Sequence, residues 1–75
     1  MAQFSYKIIK EIAVISDTGK LSTELNLISY SGNEPKYDLR RWSTGSGEKK
    51  MQKGIALTRD ELVTLREVLN AIGDI

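Results

Sequence analysis

The sequence predicts an α+β fold, a four-stranded antiparallel sheet followed by one C-terminal helix, in a single domain over residues 1–75. Three observations predict it. Four segments rich in β-branched and aromatic residues are separated by short turn signals. The apolar period then changes from two to that of a helix. The change falls on a Thr-x-x-Glu pattern, Thr58 to Glu61, which is the signature of a capping box.

The first strand is expected over "FSYKIIKEIAVISD". There Phe4, Tyr6, Ile8, Ile12 and Val14 share one parity, and Ser5, Lys7, Ile9, Glu11, Ala13 and Ile15 the other. "DTG" at Asp17 to Gly19 marks a hairpin, with Gly19 able to take positive φ. "KLSTELNLISYS" alternates, with Leu21, Leu25 and Leu27 on one face and Lys20, Ser22, Glu24 and Asn26 on the other, the pattern of a half-buried strand. "GNEP" is a second turn, and Pro35 removes a donor where the next strand begins. In "KYDLRRWS", Tyr37, Leu39 and Arg41 lie opposite Asp38, Arg40 and Trp42. A "TGSGE" loop leads to "KMQKGIALT", in which Met51, Lys53, Ile55 and Leu57 share a parity and Gly54 marks backbone geometry such as a bulge. In the helix, Leu62, Leu65, Leu69 and Ile72 form one apolar stripe for the core or a dimer contact, and Gly73 stops it.

A chain of 75 residues buries a limited core. Small domains commonly add disulfides, a metal or a partner subunit. With no cysteine and no histidine, disulfides, thiolate sites and the commonest metal ligand are excluded. Association as a symmetric homodimer is the remaining route to more core. The same absences leave no Ser/His/Asp or Cys/His set, so the chain is expected to be no enzyme and to use no cofactor or metal. Asp38 beside Arg40 reads as an ion pair and not as a general base. No run is apolar enough to span a membrane, and lysines and a glutamate interrupt the first apolar stretch. The expected location is cytoplasmic, in the bacterial cytoplasm or nucleoid.

The net charge of +1 is unevenly placed. Lys36 to Lys53 holds six basic residues and two acids, while the rest of the chain is net negative. The helix is not a groove-reading helix, because Asp60, Glu61 and Glu67 outweigh Arg59 and Arg66. The cations lie on the strands and the glycine loop. Lysines on a strand can simply protect an edge. Here aromatic residues are interleaved with them: Trp42 shares a strand face with Arg40, and Phe4, Tyr6, Tyr30 and Tyr37 lie on strands beside lysines. Rings for unpaired bases and charges for the backbone are what a single-strand binder requires. The loop glycines carry no G-x-x-x-x-G-K-[ST] pattern, so they do not form a phosphate-binding loop.

"YDLRRW", a loop, and "KGIALTRDELVTLREVL" together resemble the transcriptional positive cofactor four family, most closely its short bacterial YdbC-like members. The matching positions are Asp38, Leu39, Arg40, Trp42, Lys53, Gly54, Ile55, Leu57, Leu62 and Leu65, with one residue fewer between Arg40 and Trp42 than in the family pattern. The resemblance implies a sheet-plus-helix protomer, a symmetric dimer and single-stranded DNA binding on the β surface. It places Arg40 and Lys53 at backbone-contacting positions and Trp42 at an aromatic near the DNA. Tyr30 stands nearest to the family's aromatic in the preceding turn. The serine-rich regulatory arm of eukaryotic members is absent, so their coactivator regulation does not carry over.

The sequence therefore predicts a homodimeric single-stranded DNA-binding protein with little sequence preference, serving transcription, replication or repair. RNA stays open as a ligand, since nothing here reads or excludes a 2′-hydroxyl. The candidate nucleic-acid-binding residues are Lys7, Lys20, Tyr30, Lys36, Arg40, Arg41, Trp42, Lys49, Lys50 and Lys53. The alternatives are a protein-interaction module with a protective basic edge and a duplex-binding β-ribbon transcription regulator.

Overall fold

The computed structural model describes residues 5–45 and 47–74. Phe4, assigned to the first strand, and Ser46, in the glycine loop, lie outside the described residues. The four alternating segments form β1 (Tyr6–Asp17), β2 (Leu21–Tyr30), β3 (Lys36–Ser43) and β4 (Lys50–Leu57), and the capped segment forms α1 (Arg59–Ile72). The strands make one antiparallel sheet in the order β1-β2-β3-β4, the meander that short connections produce. At the first hairpin, Gly19 takes a φ of 91° and its N–H donates to Asp17 Oδ1 at 2.8 Å. A side chain at that φ would be strained.

Register divides the sheet into two faces. Ser22, Glu24, Asn26, Ile28 and Tyr30 share a face with Asp38, Arg40 and Trp42. Leu21, Leu25 and Leu27 share the other with Tyr37, Leu39 and Arg41, and Leu25, Leu39 and Leu57 there line one groove with Leu62, Leu65 and Leu69 of α1. The expected parity fails along β1. Three register shifts leave Ile9, Ile12 and Ile15 without a cross-strand partner. Glu11 consequently joins Tyr6 and Ile8 on one face, where Val14 lies as expected. A fourth shift, opposite Arg41, puts Met51 with Trp42 and leaves Ile55 and Leu57 on the helix side, so the parity expected for β4 also breaks. It lies immediately before Gly54, where a bulge was anticipated.

The bulges accompany a strong curl. Tyr6 pairs with Tyr30 and Trp42 with Ser22, eight residues apart on β2. A flat sheet would separate those pairs by about 26 Å. Their rings instead lie 5.8 Å apart, so the face carrying them is concave. This explains an inversion of the expected burial. The polar face of β2 is the enclosed one: Ser22, Glu24 and Asn26 are buried beside Ile28, Trp42 and Asp38. The leucines of β2 face the helix but are at most half-buried.

The capping box forms as expected. The Glu61 N–H donates to Thr58 Oγ1 at 3.2 Å, and the Thr58 N–H donates to Glu61 Oε1 at 2.8 Å. That backbone hydrogen bond from Thr58 holds the Glu61 carboxyl below its ordinary range. Gly73 ends the helix with a φ of 72° and donates its N–H to the Leu69 carbonyl. The apolar stripe is present, yet no helix residue is buried: Leu62 is half-covered, and Leu65, Leu69 and Ile72 are exposed.

Candidate nucleic-acid interface

Among the described residues the concave face gathers three aromatic rings. Tyr6 lies between Tyr30 and Trp42, with centroids 6.5 Å and 5.8 Å away. Curling of the sheet brings them together, since register alone would keep Tyr6 and Trp42 far apart. Each of the other two rings carries a cation: the Arg40 guanidinium is 6.0 Å from the Tyr30 centroid, and the Lys49 ammonium 5.1 Å from that of Trp42.

Each cation is held by a buried acid. Asp38, at 0% exposure, accepts from Arg40 Nε at 2.6 Å and from Nη2 at 2.7 Å, and also from the Tyr30 hydroxyl. This is the bidentate geometry that only a guanidinium fork supplies. Arg40 Nη1 further donates to the Gln52 carbonyl at 3.0 Å, tying β3 to the bulge in β4. Burial, followed by the Asp38 hydrogen bond, pushes the Tyr30 hydroxyl up to about 12. The hydrogen bond to Asp38 also raises Arg40 above its ordinary value, so it stays a cation. Glu24, 7% exposed, accepts from Lys49 Nζ at 2.7 Å and from Ser22 Oγ at 2.6 Å. Burial pushes the Glu24 carboxyl up, but the hydrogen bonds from Lys49 and Ser22, with the lysine charge, outweigh it and leave the group below its ordinary range.

Gly54 makes this arrangement possible. It pairs with Arg40 across the β3–β4 ladder, and a Cβ there would fall 1.9 Å from Arg40 Cβ. The strand carrying the guanidinium can approach only because that position has no side chain.

The ten expected site residues do not form one surface. Tyr30, Arg40, Trp42 and Lys49 meet on the concave face, and Lys36 joins it by register opposite Ile28. Lys20 lies at the adjoining hairpin, where its carbonyl accepts from the Thr44 N–H at 2.9 Å. Lys7, Arg41 and Lys50 are on the helix-bearing face, opposite Ser29, Thr23 and Ser43, and Lys53 sits in the bulge beside Arg41. Trp42 is 1% exposed, so its ring is enclosed and not an open platform in this conformation. The exposed ring is Tyr6. Glu24 was not among the expected site residues, because a glutamate in an alternating strand reads as solvent-facing. Among the described residues no group of three or more metal-ligating side chains gathers.

Residues 21–68 match the family model described as Transcriptional Coactivator p15 (PC4), a span that includes β2, β3, β4 and most of α1. The chain is also 41% identical over 70 residues to an uncharacterized protein of Treponema pallidum (strain Nichols), covering 92% of this chain and 80% of that one.

Proposed function

This chain belongs to the transcriptional coactivator p15 (PC4) family, and from that premise we propose that it is a non-enzymatic, single-stranded DNA-binding protein with little sequence preference. The observation that carries the reading is the concave face, where Tyr6, Tyr30 and Trp42 lie within 6.5 Å of a neighbouring ring and beside Arg40 and Lys49. Rings can accept unpaired bases whatever their identity, and cations can follow the phosphates. Because no side chain reaches into a duplex groove in this reading, selectivity is for strandedness and not for sequence. The cellular role is regulation of transcription, or replication or repair, in the cytoplasm.

The working unit is a homodimer. The groove between sheet and helix, about 400 Å³ in volume, is lined by Ile15, Leu25, Leu39, Leu57, Leu62, Leu65 and Leu69, with Arg66 and Asn70 as its polar members, and is partly open to solvent. Leu65 is 36% exposed and Ile72 53%. An apolar patch of this continuity is uncommon on a lone protomer, and a second copy placed on it would complete the core.

Titration with an oligo-dT strand at a series of salt concentrations tests the function. Log affinity should fall linearly with log salt, by about 0.7 for each phosphate contacted. A salt-independent affinity, or no binding to dT, would contradict the proposal.

A further inference from the structure

The Glu24–Lys49–Trp42 contact carries an inference that rests on the single-strand reading. Among the described residues Lys49 has two partners, the carboxylate of Glu24 at 2.7 Å and the ring of Trp42 at 5.1 Å. Its side chain is 38% exposed, whereas that of Glu24 is 9% exposed and fixed from the other side by Ser22 at 2.6 Å. The acid is therefore the anchored member and the lysine the releasable one. Trp42, beneath Lys49 and Tyr6, is 1% exposed. Lys49 and Tyr6 both lie against its ring.

We propose that Glu24 is a specificity-determining residue that makes release of Lys49 depend on a free base. Glu24 occupies Lys49 as a phosphate would, so a phosphate alone competes against an anchored internal anion. A base entering over Trp42 must displace Lys49 from the ring. Once displaced, the ammonium is free to meet the phosphate of the same nucleotide. Stacking and phosphate contact are thereby coupled. A duplex, whose base faces are covered, and a backbone without bases cannot supply the first half of the exchange. A buried acid on a nucleic-acid-binding surface, otherwise unfavourable to a polyanion, acquires a role in discriminating against polyanions that lack exposed bases.

The test compares the parent chain with Glu24→Gln, which keeps the shape and loses the charge. The probes are an oligo-dT strand, an abasic strand of equal length and a duplex of equal length. In Glu24→Gln the affinity for the abasic strand should rise about three- to fivefold, the size of one partly exposed ion pair released. Its salt slope should steepen by about 0.7. Affinity for dT should change less, so the dT-to-abasic ratio falls. A Glu24→Gln protein that binds the abasic strand no better, or gains equally on both strands, overturns the inference. If Glu24→Gln fails to fold, Lys49→Ala decides: it should increase acrylamide quenching of Trp42 in the free protein, and unchanged quenching rejects the covering role. Failure of the parent to bind dT would overturn the underlying single-strand reading. Binding of dT with an unchanged dT-to-abasic ratio would overturn the Glu24 role alone.

Discussion

Gly54→Ala should be costly out of proportion to one methyl group. The new Cβ would lie 1.9 Å from Arg40 Cβ, 2.7 Å from Arg40 Cα and 2.7 Å from the Leu39 carbonyl oxygen. Carbon atoms in contact ordinarily sit about 3.5–4.0 Å apart. Two of the three obstacles are backbone, so no rotamer change relieves them, and β3 and β4 must separate. Separation strains the ladder around Arg40 and its 3.0 Å hydrogen bond to the Gln52 carbonyl. Overpacking costs about 1–3 kcal/mol, and a backbone obstacle places this case near 3. Replacing glycine with alanine returns about 0.4–1 kcal/mol by restricting the unfolded chain, which leaves a net loss of about 2 kcal/mol. For a domain of this size that is a fall in Tm of about 8–16 °C. The assay is thermal unfolding by circular dichroism at matched protein concentration, since association would make Tm depend on concentration. Gly45→Ala is the control. Its Cβ would meet Lys20 Cγ at 3.7 Å, an ordinary contact. It should shift stability by less than about 1 kcal/mol. A Gly54→Ala protein melting within about 2 °C of the parent would refute the close-approach argument.

Asp38→Asn should destabilise the protein by about 3 kcal/mol, because it removes the charge that neutralises a largely buried guanidinium, with side-chain exposures of 0% and 14% for the pair; urea denaturation would show it as a lower midpoint with an unchanged slope. At alkaline pH, the raised Tyr30 hydroxyl contributes stability that is complete below its ordinary value of 10.0 and is lost as pH rises toward about 12. Tyr30→Phe should flatten unfolding free energy across that window, and superimposable profiles would reject the assignment. At the acid end, the lowered Glu24 carboxyl contributes stability present above its ordinary value of 4.5 and lost as pH falls through the lower folded value. Glu24→Gln should remove that part of the acid dependence.

The fold was legible where local chemistry decides it. Thr58 and Glu61 name the helix start by their side chains alone, and Asp17 to Gly19 name the hairpin. The ion pair of Asp38 with Arg40 was likewise readable, because residues two apart on a strand share a face. The bulges in β1 were not. Ile9, Ile12 and Ile15 resemble their strand neighbours, and no glycine marks the extra residues. One slipped residue exchanges the faces, so Glu11 ended on the face that carries Tyr6. The inversion of burial on β2 was hidden for a related reason. Alternation separates leucines from polar residues but does not say which face the sheet curls around. Trp42 shows the consequence for the site: spacing placed it with Arg40, and curvature then enclosed it under Tyr6 and Lys49.

Selection of unpaired bases by the concave face is the core of the proposed function. Direct competition between oligo-dT and a duplex of equal length, at fixed salt, tests it most directly. Stacking of one base on a ring contributes about 1–3 kcal/mol, so dT should bind at least about fivefold more tightly than duplex. The duplex presents the denser charge, and an electrostatic surface without stacking would favour it. Tighter binding to duplex would contradict the claim and leave a charged β-ribbon in its place.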